Sequence, residues 1–137
     1  MGWSGYSNYS GDGTQTCHYK FLTLSGAAKN DDEIYDGDWL TYKGTIIPKD
    51  RISLFKKGLP KVLKKMPKTK FWNEDNAIEW QMLLHLFMDN KIKVPTIVKK
   101  NGITAAEYLM EDHARDFDNP QARRYHLRKF IEKAKKL

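Results

Sequence analysis

The chain has 137 residues, 40% of them hydrophobic and 12% aromatic, which supplies one core, excludes a disordered chain and leaves no length for a second domain. No apolar run reaches the length of a membrane span, and the opening Met1-Gly2-Trp3-Ser4 lacks the basic and apolar regions of a signal peptide, so the sequence predicts a cytoplasmic protein with no membrane contact. The net charge of +7 is uneven: residues 49–70 hold nine Lys or Arg against Asp50, and residues 119–137 hold seven against Glu132, while every other segment is slightly acidic.

Residues 1–16 are Gly, Ser, Asn and Thr with interspersed aromatics and predict an irregular arm. From His18 to Leu24, Tyr19 and Phe21 alternate with their neighbours, which predicts a short strand. The acidic runs Asn30–Glu33 and Asp36–Asp38 predict a connection. A hairpin follows, with Trp39–Tyr42 and Thr45–Ile47 flanking Lys43-Gly44. Over 17–48, then, the expectation is strands.

Beyond Pro48 the pattern turns helical. Asp50 caps a helix with Ile52, Phe55 and Leu59 on one face, and Gly58 and Pro60 predict a break before a second short helix that ends at Pro67. Asn73 to Asp89 is the strongest element, capped by Asn73 and apolar almost all round, as a central buried helix should be. Val94–Val98 predicts an extended piece and Lys99–Gly102 a turn. The capping-box pattern Thr104-Ala105-Ala106-Glu107 predicts a helix through Phe117, and Asn119-Pro120 opens a last helix burying Leu127, Phe130, Ile131, Ala134 and Leu137. The expected class is α+β, a small antiparallel sheet in the N-terminal half packed with four to five helices, in one domain over 1–137.

Two basic segments are the leading functional feature. Arg51, Lys56, Lys57, Lys61, Lys64, Lys65, Lys68 and Lys70 form one; Arg123, Arg124, Arg128, Lys129, Lys133, Lys135 and Lys136 form the other. Clustered cations favour phosphate backbones, because each neutralised phosphate releases counterions. The blander account is that they are the solvated faces of amphipathic helices. No zinc-finger spacing, RNP-like strand or helix-turn-helix with a turn glycine narrows the partner to DNA or RNA. The expected function is therefore a non-catalytic basic protein that binds nucleic acid, or a nucleic-acid-handling complex, without a cofactor. The alternative is a regulator or inhibitor that docks on an acidic protein surface, using the basic helices or the N-terminal rings Trp3, Tyr6 and Tyr9.

Catalytic parts are few. Cys17 and His18 are adjacent, but neighbours on a strand point to opposite faces, and His85 lies in an apolar helix. His113 with Asp112, Asp116 and Asp118 is the best candidate metal cluster and the basis of a weaker alternative, a metal-dependent enzyme, though it falls short of the ligand number zinc requires. Gly11–Thr16 is glycine-rich but precedes an expected strand, whereas phosphate-cradling loops open a helix.

Overall fold

The computed structural model describes the backbone of residues 12–41, 44–113 and 120–137, and the side chains of 16–41, 44–111, 121 and 124–137. The expected N-terminal arm lies outside the described residues as far as Gly11.

The first described element is a helix, α1 (Asp12–Ser25), where the sequence predicted an arm and then a strand. His18, Phe21, Leu22 and Ser25 are all buried, and their i, i+3, i+4, i+7 spacing is that of one helix face. Alternation over 18–24 was too short a window to separate the two periods, and two of the four core positions are polar. Of the Gly11–Thr16 segment, the described part, Asp12–Thr16, is the first turn of this helix. Gly26, at φ 83, then turns the chain sharply.

The acidic run expected as a connection forms a short helix, α2 (Asp31–Asp36), whose Asn30 cap accepts from the Glu33 amide at 3.0 Å. The expected hairpin is present, reduced to β1 (Leu40–Thr41) and β2 (Gly44–Thr45), antiparallel with Leu40 opposite Thr45 and Thr41 opposite Gly44. The chain is thus α+β, with six α-helices among the described residues around one two-stranded ribbon.

Helix α3 (Lys49–Lys65) is continuous through Pro60, where two helices were expected. Its buried positions Phe55, Gly58 and Val62 carry the apolar stripe past the proline, and packing outweighs the roughly 3 kcal/mol that an interior proline costs. Gly58 serves contact and not a break: a Cβ there would collide with the Ser25 backbone, so α1 and α3 touch main chain to side-chain-free main chain.

Helix α4 (Glu74–Asp89) begins at its Asn73 cap, as expected, and buries eight residues, among them Trp80, Leu83, Leu84 and Phe87. It forms the centre of the core, packing on α5 (Thr96–Tyr108), on α1 and on β2. Helix α5 starts earlier than predicted, because Lys99–Gly102 is helical and not a turn. Gly102 allows this helix to press onto Leu84, whose Cβ would lie 2.5 Å from an added Cβ. Thr104 is therefore interior; its hydroxyl donates back to the Lys100 carbonyl at 3.0 Å and caps nothing. A π-helical turn (Leu109–His113) continues the chain from α5, and the expected helix limit at Phe117 lies outside the described residues. Helix α6 (Pro120–Lys135) buries Leu127, Phe130, Ile131 and Ala134 as predicted, but Leu137 is exposed because the helix ends before it.

Candidate functional site

The C-terminus of α4 borders a concavity formed by the described residues. Two crossed bonds close the helix, from the Lys91 amide to the Met88 carbonyl at 3.3 Å and from the Ile92 amide to the Phe87 carbonyl at 3.1 Å. This cap needs a left-handed residue, ordinarily glycine, yet Lys91 occupies it at φ 53. The turn sends Ile92 inward and leaves Lys91 and Lys93 in solvent.

A hollow of about 830 Å³ opens beside this turn. Phe87, Met88, Ile92, Val94 and Leu137 give it an apolar lining, and Lys91, Lys93, Lys99 and Lys133 surround it. Lys99 Nζ donates to the Leu137 carbonyl at 2.7 Å and so ties the start of α5 to the chain beyond α6. A second hollow of about 340 Å³ shares Phe87, Ile92, Lys93 and Val94 with the first and extends to Lys56 and Leu59 of α3. None of the described residues lining either hollow is acidic. Lys56 from the first basic segment and Lys133 from the second therefore border one groove, with three lysines between them that belong to neither segment.

The remaining expected residues divide by role. Lys57, Lys61, Lys64 and Lys65 are exposed along α3, as are Arg128 and Lys129 on α6. Arg51 is engaged elsewhere: it forks onto Glu33 at 2.8 and 3.3 Å and donates to the Ala27 carbonyl at 2.9 Å, fastening α3 to α2. Desolvation opposes ionisation of Glu33, but the bonds from Arg51 and the Lys29 amide hold its carboxyl below the usual value. Arg124 Nε donates to the Met110 carbonyl at 3.2 Å and joins α6 to the π turn. The Arg123 side chain lies outside the described residues, as do Trp3, Tyr6 and Tyr9. So do Asp116 and Asp118 and the side chains of Asp112 and His113, and no metal-ligating group of three forms among the described residues.

Sequence reasoning missed a polar linkage at the centre. His18 is wholly buried, its Nε2 donating to the Met82 carbonyl at 2.9 Å and its Nδ1 accepting from the Thr45 hydroxyl at 2.6 Å. Burial, followed by the neighbouring His85, pushes its pKa down to about 3, against the Met82 carbonyl. Asp89 accepts from the Thr45 amide at 3.1 Å and from His85 Nδ1 at 2.9 Å. Asn90 substitutes for a strand, accepting from the Ile47 amide at 2.7 Å and donating to the Thr45 carbonyl at 2.9 Å. These bonds lock β2 to α4 and hold the turn that carries Lys91 and Lys93. Beside His18, burial raises the Cys17 thiol to about 11, which leaves it protonated and a poor nucleophile at neutral pH.

None of the described helices is long and apolar enough to cross a membrane. Comparison with protein-family models, curated proteins and solved structures gave no match to this chain.

Proposed function

We propose that this is a non-catalytic nucleic-acid-binding protein that grips phosphates along the lysine-bordered groove between α3, the α4–α5 turn and α6. The observation that carries the reading is the meeting of Lys56 and Lys133 at adjoining hollows, with Lys91, Lys93 and Lys99 between them and no acidic residue in the lining described. Lysines that merely solvate helix faces need not converge on a concavity. A concave cationic surface concentrates its field and attracts a polyanion from solution. Lys57, Lys61, Lys64 and Lys65 are exposed on α3 beyond the groove and offer further cations to a longer partner.

The test is fluorescence anisotropy with a labelled 20-nucleotide strand over a salt series. The logarithm of the binding constant should fall linearly with the logarithm of salt, losing roughly 0.7 to 0.9 in slope for each phosphate contact removed. The double variant Lys56→Ala, Lys133→Ala should flatten that slope by about 1.5, in line with two lost contacts. An absence of binding at low salt, or a slope the variant leaves untouched, rejects the reading.

A further inference from the structure

We infer that the strand this surface holds is unpaired, so that the protein favours single-stranded over double-stranded nucleic acid; the inference rests on the phosphate-gripping reading above. It stands on the exposed rings and on the floor of the groove.

Three large aromatic side chains among the described residues are exposed; Tyr125 sits in the second basic segment and Phe71 adjoins the end of the first. Phe71 is 76% exposed and follows directly on Lys68 and Lys70, with Lys70 Nζ 5.7 Å from its ring centroid. Tyr125 is 53% exposed on α6 between Arg124 and Arg128, with Lys129 Nζ 5.6 Å from its ring centroid. The third, Tyr35, stands on acidic α2 and takes no part. Leaving such rings in water forgoes burial that the chain gives to Phe21, Phe55, Phe87 and Trp80. An exposed ring with a cation beside it offers a face to a base and a charge to its phosphate, the combination on which unpaired strands bind. In a duplex the base faces are already covered by their neighbours.

The groove adds an independent reason. Phe87, Met88, Ile92 and Val94 line it with apolar surface while Lys91, Lys93 and Lys133 beside it are exposed, so a splayed-out base can enter beneath its own phosphate. A duplex is stiff over about 150 base pairs and keeps its bases stacked, so it meets the outlying lysines alone. A single strand bends freely and can follow a surface that turns from α3 to α6.

Anisotropy with a labelled 20-nucleotide thymidine strand and a 20-base-pair duplex, at one low salt concentration, tests this. The single strand should bind at least about tenfold more tightly. Phe71→Leu and Tyr125→Leu, which keep an apolar group and remove the ring face, should each weaken it at least about fivefold. Duplex affinity and melting temperature should stay as in the parent protein. Equal affinity for the two forms, or ring variants that bind the single strand normally while Lys56→Ala weakens both, overturns the inference and leaves the phosphate reading standing. No binding of either form removes both. Displacement of the strand by a lower concentration of an acidic, leucine-bearing peptide also overturns it and moves the site to a protein partner.

Discussion

His18 bridges α1, β2 and α4, and as bonded it serves as the neutral imidazole. His85, on the adjacent turn of α4, and Asp89 are the titratable groups that accompany it. The unfolded chain takes up a proton at this position near pH 6.5, while the folded chain refuses it until about pH 3. The group's contribution to stability is therefore complete above pH 6.5 and declines as pH falls through that window, by about 1.4 kcal/mol per pH unit. Urea midpoints measured between pH 7.5 and 5 should fall accordingly, and His18→Gln should fall less steeply; an identical pH slope in the variant contradicts the assignment. Gln81 presents the opposite case. It is wholly buried on α4, and neither side-chain Nε2 nor Oε1 has a hydrogen-bond partner among the described residues. Gln81→Met removes the unmet groups at nearly constant volume and should raise stability by about 1 kcal/mol or more in a denaturant titration. Neither residue's role was legible in the sequence: a lone polar side chain in an apolar stripe looks the same whether it is satisfied, as His18 is, or not, as with Gln81.

Helices form here where tertiary contact overrules local signals. The strand expected at 18–24, the break at Pro60 and the turn at Lys99–Gly102 are all helix. In the last two, a glycine that locally reads as punctuation is the place where another helix approaches. Gly58→Ala should cost about 1–3 kcal/mol by forcing α1 from α3, measured as a lower melting temperature. Unchanged stability excludes the contact. By contrast α4 and the buried face of α6 were readable, because each has a cap or proline start and a long apolar period of its own. The turn after α4 combines stability and the proposed binding in one residue. Lys91 holds a left-handed position at a cost of roughly 1 kcal/mol relative to an unstrained backbone. Lys91→Gly should stabilise the fold while weakening strand binding, and a variant that gains or loses in both assays contradicts the assignment of this lysine to the groove.

At the scale of the whole molecule, the proposed function rests on where separate charges meet. The sequence revealed two basic segments, but Lys91, Lys93 and Lys99 were hidden in stretches whose acids outnumber their bases. Only the crossing of α3, α4, α5 and α6 sets those lysines against Lys56 and Lys133, with no acid in the lining described. Folding also subtracts, since Arg51 is spent on Glu33, while Arg124 gives one donor to the Met110 carbonyl and Lys99 one to the Leu137 carbonyl. The most direct test is to map the footprint of a short thymidine strand on the labelled protein by amide chemical-shift perturbation at low salt. The shifts should concentrate at Lys91–Lys99, Lys56 and Lys133 and vanish as salt is raised. Shifts gathered on the acidic α2, or none in the groove at saturating strand, contradict the account.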